Sequence, residues 1–170
     1  MQYQELIEQR YSVRAYRPDP VPEVQLQRVL EAARWAPTAA NRQPFQLIVV
    51  HTQGREAELR RIYDQAWFVQ APIVIAAIGL PETGWKRHDR KSYVDVDVSI
   101  AMDHLILAAA DQGLGTCWIG AFNVPATREV LGLPENVEPI AFTPLGFPGD
   151  EARPKRRKPL EELVRYESWS

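Results

Sequence analysis

The sequence has 170 residues, of which 45% are hydrophobic and 25% charged, and its mean hydropathy is −0.32. These values predict one domain over residues 1–170 without a membrane-spanning helix. The formal net charge of −2 argues against a dedicated nucleic-acid binder, which would carry a basic excess. The single cysteine excludes an internal disulfide framework, and the lack of a basic, apolar leader favours a cytoplasmic location.

Hydrophobic spacing and proline positions predict the elements of the first half of the chain. A short helix over residues 3–10 precedes extended chain at 12–16, and a second helix opens at Pro22 and ends before Pro37. The expected apolar face of this second helix consists of Val24, Val29, Leu30 and Ala33. The next predicted elements are a strand at 45–51, a helix at 54–65 and a strand at 73–79.

The second half of the chain begins with the charged segment 80–93, which is expected to be an exposed and mobile loop. A long helix at 95–112 should follow and end at Gly113. The later predicted elements are a strand at 116–120, a helix at 125–131, a strand at 139–147 and a helix at 160–165. No Gly-x-Gly-x-x-Gly turn or P-loop follows a strand, which argues against a Rossmann or kinase-type nucleotide fold.

The predicted helix at 95–112 is apolar on nearly every side. Its apolar residues include Val98, Met102, Leu105, Ile106 and Leu107. Such a helix must be covered from more than one direction. In a domain this small, a second subunit is the natural cover.

The segment Arg10-Tyr-Ser12-Val-Arg14 is the first candidate binding element. In extended chain, side chains two positions apart share a face, so Arg10, Ser12 and Arg14 should converge. Two guanidinium groups and a hydroxyl suit a phosphate or a polarised carbonyl. The alternative is a helix-end cation followed by an exposed edge.

The segment 36–45 is the second candidate. Thr38, Asn41 and Gln43 offer hydrogen-bonding groups among small residues, which let a ligand ring lie against the backbone. Proline, threonine and asparagine are also common in turns, so a helix-terminating loop is the alternative.

The third candidate is the cationic run from Lys155 to Lys158. Such a run near the end of a chain is ordinarily a solvated face or an interaction tail. It follows turn residues at 146–150, and if that turn returns it to Arg10, the cations would form a phosphate pocket.

The histidines and the cysteine offer weaker chemistry. His51, His88 and His104 lack the spacing of a metal-binding helix, so no metal site is predicted. Cys117 has no neighbouring histidine or lysine in sequence and is interpreted as a small buried hydrophobic residue.

Four motifs, taken in order, resemble the FMN-dependent nitroreductase family. They are Arg10-x-Ser12-Val13-Arg14, Ala36-Pro-Thr-Ala-Ala-Asn41-x-Gln43-Pro44-Phe45, Gly113-Leu-Gly-Thr-Cys-Trp-Ile-Gly120 and Lys155-x-Arg157-Lys-Pro159-Leu. The likeness covers about residues 1–165 and includes the long helix before the glycine-rich motif. Short patterns match by accident, so the joint order and separation of the motifs carry the resemblance.

The resemblance implies a nitroreductase-like α+β fold, a homodimer whose mixed central sheet is flanked by helices, with FMN at the subunit interface. By matched position, Arg10 and Arg157 would hold the FMN phosphate with support from Ser12. Arg14 and Lys155 would lie near the pyrimidine edge of the flavin.

The same resemblance implies two further groups of flavin contacts. From the partner subunit, the ring and ribityl chain would be contacted by Pro37, Thr38, Ala39 and Asn41. The backbone of Ile119 and Gly120 would approach the reactive centre of the flavin. Several relatives carry an acidic residue at the position of Ile119, so only a main-chain contact is expected there.

In function, the resemblance implies a flavoprotein that takes a hydride from NAD(P)H and passes electrons to a nitroaromatic or quinone acceptor by a ping-pong mechanism. The flavin carries the redox chemistry, so the expected contribution of the protein is electrostatic, with Arg14 stabilising negative charge on the reduced flavin. No metal, nucleic acid or membrane is expected as a partner. The alternatives are a same-fold flavoenzyme that dehalogenates, fragments flavin or oxidises azoline rings, and a flavin-binding protein without catalysis.

Overall fold

A computed structural model describes residues 2–169. These residues fold around a four-stranded sheet. Its strands are β1 (Phe45–His51), β2 (Ile73–Gly79), β3 (Gly115–Thr116) and β4 (Glu138–Gly146). Their order across the sheet is β1-β2-β4-β3, and all neighbouring strands pair antiparallel. The four strands thus form an antiparallel sheet and not the expected mixed one, and the one parallel contact among the described residues is an isolated bridge between Ser12 and Thr116 at the β3 edge.

The helices lie on both faces of this sheet. They are α1 (Tyr3–Gln9), α2 (Glu23–Arg34), α3 (Glu56–Ile62), α4 (Ala66–Gln70), α5 (Val94–Asp111), α6 (Val124–Leu131) and α7 (Leu160–Leu163), and a 3₁₀ turn spans Ala39–Asn41. Helices α2 and α5 cover one face, while α3, α4 and α6 cover the other. No helix within residues 2–169 is both long enough and apolar enough to cross a membrane.

Strand β2 has the predicted bounds 73–79, and its burial on both faces explains why its sequence is a continuous apolar run. All seven of its residues are buried. Because side chains alternate along a strand, Ile75 and Ala77 pack towards α2 and α5, whereas Val74 and Ala76 pack towards the other core. A strand covered on both faces has no position where a polar side chain reaches water.

Helix α5 ends as its glycine predicts. Gly113 has φ +73°, and its N–H donates to Ala110 O at 3.0 Å. The N–H of Leu114 donates to Ala109 O at 2.8 Å, which completes a Schellman motif. The helix buries one side against α2 and the sheet, but Val96 is exposed and Ile100 and Leu107 are only half-buried. These three residues form a stripe, here called the α5 outer stripe.

The predicted start and apolar face of the second helix require correction. Pro22 is the residue before the helix, which begins at Glu23. Val24 is 64% exposed, and the buried face is formed instead by Leu26, Val29 and Ala33. This face follows i, i+3, i+7 spacing, whereas Val24 points away from it.

The predicted strand at 116–120 is shorter than expected. Pairing in β3 stops at Thr116, because the N–H of Cys117 donates to the side chain of Thr143 at 3.1 Å instead of to a strand carbonyl. Pairing resumes at a single bridge between Ile119 and Phe142. Helix α4 was not predicted, since its five residues hold too little periodicity to distinguish it from a loop.

The segment 80–93 is exposed for most of its length but contains a small hairpin. The N–H of Tyr93 donates to Trp85 O at 3.0 Å, and Lys86 bridges to Ser92. The Trp85 and Tyr93 rings meet edge to face with their centroids 4.9 Å apart. The segment therefore has a defined backbone course next to the start of α5.

Candidate functional site

Residues from both ends of the chain line one cationic cavity of about 270 Å³. Its basic side chains are those of Arg10, Arg14, Arg153, Lys155 and Arg157. Tyr11, Ser12, Asp150 and Glu151 complete the lining. The cavity, here called the cationic cavity, brings together the first and third of the candidate segments.

The N-terminal wall of the cationic cavity is extended chain laid along the edge of the sheet. Arg10 ends α1, and the N–H of Val13 donates to Thr116 O at 2.9 Å. Val13 is buried, so Ser12 and Arg14 on either side of it face the cavity together with Arg10. This is the convergence that the two-residue spacing predicts.

Asp150 ties the C-terminal wall to the N-terminal one. Its carboxylate accepts the Arg14 N–H at 2.9 Å and the Tyr11 hydroxyl at 3.2 Å, and the same hydroxyl donates to Asp150 O at 2.8 Å. Burial raises the pKa of Tyr11, and the charge of Asp150 raises it further. The sequence predicts a turn at 146–150, but no pattern in it identifies Asp150 as a residue of the site.

Lys155 fixes the cationic run over the end of α1. Its ammonium donates to Ile7 O at 3.1 Å and to Glu8 O, which are carbonyls at the C-terminal end of that helix. Burial lowers the pKa of Lys155, and the charges of Arg10 and Arg157 lower it further. All three cations line the cationic cavity. The structure thus gives Lys155 a contact that the sequence did not indicate.

A wider opening of about 750 Å³ adjoins the cationic cavity between α1 and the cationic run. It shares Arg153, Lys155 and Arg157 with that cavity. An anionic group in the cationic cavity is therefore reached from solvent past α1.

Cys117 lies behind the Ser12 wall and is buried. Burial raises the pKa of its thiol, while the charges of Arg14 and Arg10 and the Ser12 hydroxyl act in the opposite direction. The thiol is a neutral packing group, in agreement with the interpretation from sequence.

The loop at 37–43 stands apart from the cationic cavity, and none of its residues lines it. Thr38 Oγ1 accepts the Gln43 N–H at 3.0 Å, which closes the loop on itself. The Ala39 N–H donates to Asp97 Oδ1 on α5 at 2.8 Å. Pro37 and Asn41 are exposed, whereas Thr38 and Ala39 are half-buried.

The two residues at the end of the glycine-rich motif differ in accessibility. Ile119 is buried, and its main chain exchanges hydrogen bonds of 2.9 and 3.0 Å with Phe142. Gly120 is exposed, and no atom lies within 4 Å of the position that a Cβ would occupy. The side chain of Ile119 belongs to the core, so only main-chain atoms are available there to a ligand.

The chain is similar in sequence to known proteins. The family model described as the nitroreductase family matches residues 7–67 and 55–147. A Thermus thermophilus protein named NADH dehydrogenase is 31% identical, with 91% of each chain covered. A Bacillus subtilis FMN reductase [NAD(P)H] is 31% identical over 93% of this chain and 70% of its own.

A solved structure is similar over nearly the whole fold. The crystal structure of a nitroreductase family protein from Clostridium difficile 630 superposes with a TM-score of 0.89 at 37% identity, and the match covers 99% of each chain. The matched family model spans most of the chain and reaches from the end of α1 to the end of β4. The chain belongs to the nitroreductase family.

Proposed function

We propose that this protein is an FMN-dependent NAD(P)H oxidoreductase. Family membership and the relatives named FMN reductase and NADH dehydrogenase support this activity. The observation that carries the proposal is the cationic cavity, because it gathers Arg10, Ser12 and Arg14 from one end of the chain and Arg157 from the other.

The residues of the cationic cavity fit a phosphate dianion. Guanidinium groups bind phosphate with two hydrogen bonds at once, and a hydroxyl such as that of Ser12 adds a further donor. Two carboxylates, those of Asp150 and Glu151, lie on the wall, and Asp150 already accepts from the Arg14 N–H and the Tyr11 hydroxyl. The phosphate of FMN would therefore be held by Arg10, Ser12 and Arg157. Its binding would not break the hydrogen bonds that Asp150 makes with Tyr11 and Arg14.

When bound, FMN supplies the two-electron chemistry that links a nicotinamide to an acceptor. Arg14 is proposed to lie towards the pyrimidine edge, where its positive charge stabilises negative charge on the reduced cofactor. The open main chain at Gly120 would lie against the reactive centre. Because FMN would carry the redox chemistry and the protein would supply only positioning and charge, no acid–base pair of side chains is required.

The second subunit of a homodimer would complete the site. The chain exposes 10654 Å² of surface, whereas a compact monomer of 19.4 kDa exposes about 8,500 Å². The surplus, about 2,000 Å², is of the size that one protomer buries in an obligate dimer. Apolar side chains on this surface include those of the α5 outer stripe and, in the C-terminal segment, Leu160, Leu163, Tyr166 and Trp169.

In that dimer, the loop at 37–43 would reach the FMN of the partner subunit. The exposure of Pro37 and Asn41 and the separation of the loop from the cationic cavity of its own chain support this placement. Pro37, Thr38, Ala39 and Asn41 would then contact the ring and ribityl chain, as the resemblance implies.

The proposed acceptors are nitroaromatic compounds and quinones, reduced by a ping-pong mechanism because nicotinamide and acceptor would use the same face of the flavin.

The test is an absorption spectrum of the purified protein, followed by anaerobic titration with NADH and NADPH and then addition of a quinone. A yellow protein that bleaches with a nicotinamide and recovers with the quinone is expected. A protein that stays colourless after addition of FMN would refute the proposal, and flavin that no nicotinamide bleaches would leave a binding protein without this activity.

A further inference from the structure

The loop at 38–43 has a backbone that its side chains do not favour. Ala40, Asn41 and Gln43 have φ values of 52°, 53° and 50°. This left-handed region brings a Cβ too close to the neighbouring carbonyl, and of these three residues only asparagine adopts it readily. Such conformations persist where the surroundings hold them, and they cluster at ligand-binding sites.

The carboxylate of Asp97, in the first turn of α5, is the buried anchor of this loop. Asp97 is 1% exposed, and its Oδ1 accepts the Ala39 N–H at 2.8 Å. Its Oδ2 is also shielded from solvent and has no hydrogen-bond partner among the described residues. A second anchor is weaker, since the exposed Arg42 reaches Gly84 O at 3.2 Å.

The geometry of Asp97 is poorly explained by stability alone. A buried carboxylate with one hydrogen bond pays a large desolvation penalty. An asparagine would offer the same acceptor oxygen to Ala39 and would bury no charge. The charge does, however, make a shorter and stronger hydrogen bond to the backbone that begins the strained turn.

We infer that Asp97 is a positioning residue for the flavin site. By fixing Ala39, it holds the strained backbone that presents Thr38 and Asn41 to the FMN of the partner subunit. The inference rests on the proposed function, because the loop is positioned for that cofactor. Asp97 itself is buried behind the loop and acts through it.

The first test compares FMN affinity and turnover in three variants. Asp97→Ala is expected to weaken FMN binding about tenfold, a change of about 1.4 kcal/mol, and to lower kcat/KM for the nicotinamide. Asp97→Asn should fall between Asp97→Ala and the wild type in both properties, since it keeps the acceptor oxygen but loses the charge that strengthens the hydrogen bond. Asp95→Ala is the matched control, because it removes the other acidic side chain of the same helical turn. Wild-type FMN affinity in Asp97→Ala, or an equal loss in Asp95→Ala, would overturn the inference.

The same contact is tested from the loop side if Asp97→Ala does not fold. Ala39→Pro removes the N–H donor and leaves α5 unchanged, and the extended backbone of Thr38 (ψ 155°) accepts a following proline. This variant should lose FMN affinity to the same extent as Asp97→Ala, and the double variant Ala39→Pro with Asp97→Asn should lose no more. Unchanged affinity in Ala39→Pro would overturn the inference.

The second test asks whether the loop acts across the dimer. An Asp97→Ala chain and an Arg157→Ala chain are co-expressed with different affinity tags, and the mixed dimer is purified on both. One of its two sites combines an intact cationic cavity with an intact loop, so it should retain one FMN per dimer at a concentration where each variant homodimer loses its flavin. A mixed dimer with no more flavin than the homodimers would overturn action across the interface. Absence of flavin from the wild type would instead refute the proposed function.

Discussion

Arg10 and Arg157 remain available to an anionic ligand because the nearby acid is engaged elsewhere. Asp150 accepts hydrogen bonds from Tyr11 and from the main chain of Arg14. Within residues 2–169, neither Arg10 nor Arg157 lies in salt-bridge distance of a carboxylate. Each guanidinium therefore retains hydrogen-bond donors for a phosphate.

Because Arg10 and Arg157 are proposed to bind the phosphate and Arg14 to lie near the flavin ring, replacing each arginine should have a different effect. Arg10→Ala and Arg157→Ala should each weaken FMN binding about tenfold or more, because each removes a charge-assisted hydrogen bond to phosphate. Arg14→Ala should largely preserve affinity and lower the two-electron reduction potential by about 30 mV, equivalent to about 1.4 kcal/mol. Flavin fluorescence measures the first effect, and equilibrium against a reference dye measures the second.

Arg156→Ala is the control for this series, since it belongs to the same cationic run but does not line the cationic cavity. It should match the wild type in both measurements. Equal losses of flavin and equal potentials in the variants of Arg10, Arg14 and Arg157 would contradict the assigned roles.

At the residue scale, the sequence predicts which cations lie close together but not the hydrogen bonds that position them. The convergence of Arg10, Ser12 and Arg14 follows from local spacing in extended chain. The contacts of Asp150 and of Lys155 join residues more than a hundred positions apart, for example Lys155 to Glu8 across 147 positions. No local pattern reports such pairs, so they are visible only in the folded chain.

Helix α5 carries the structural case for a second subunit. Its buried side packs against α2 and the sheet, while Val96, Ile100 and Leu107 remain on the outer stripe. The sequence predicts a helix covered from several sides, and the fold supplies cover on only one of them. Another copy of the chain would bury the remaining stripe.

Leu107→Glu should therefore disrupt the dimer. A carboxylate at the centre of a buried apolar contact is left unpaired, and this costs several kcal/mol. Sedimentation should show a shift from twice 19.4 kDa to 19.4 kDa, with loss of flavin because each proposed site draws residues from both subunits.

Val124→Glu provides a comparison on the opposite face of the sheet. Val124 is an exposed apolar residue in the first turn of α6, where glutamate is compatible with a helix N-terminus. This variant should remain a dimer with its flavin. A wild-type protein that sediments as a stable 19.4 kDa species with bound flavin would contradict the assignment of the α5 outer stripe.

Elements with strong local signals were predicted well, and those formed by tertiary contacts were not. Strands β1 and β2 match their predicted bounds, because β1 is a mostly apolar run and β2 a continuous one, each between turn residues. Strand β3 ends early because a threonine side chain on β4 takes the N–H of Cys117. Val24 is exposed for a similar reason, since the packing of α2 on α5, not composition, decides which side of the helix is buried.

For the whole molecule, FMN should stabilise the fold by mass action. At a hundredfold excess over Kd, the ligand adds about 2.7 kcal/mol to the free energy of unfolding. For a chain of this size, that corresponds to a rise in Tm of about 5–10 °C. Differential scanning fluorimetry of the flavin-stripped protein measures the shift.

Riboflavin is the matched ligand for this experiment, because it has the same ring and ribityl chain but no phosphate. It should raise Tm less than FMN at the same concentration, and Arg157→Ala should narrow the difference between the two. Equal shifts with riboflavin and FMN in the wild type would show that the cationic cavity does not receive the phosphate.

The C-terminal wall of the cationic cavity, which Lys155 attaches to α1 and Asp150 attaches to Arg14, also determines when a newly made chain could acquire the proposed cofactor. The antiparallel pair of β1 and β2 is complete once residue 79 has been synthesised, but the partners of Arg10 come from residues 150–157. Synthesis adds about 5–20 residues per second, so the sheet begins to pair seconds before those residues exist. Under the proposed function, capture of FMN would therefore be a late, essentially post-translational event, and a chain that stops before residue 150 would lack the C-terminal wall that the proposed phosphate site needs.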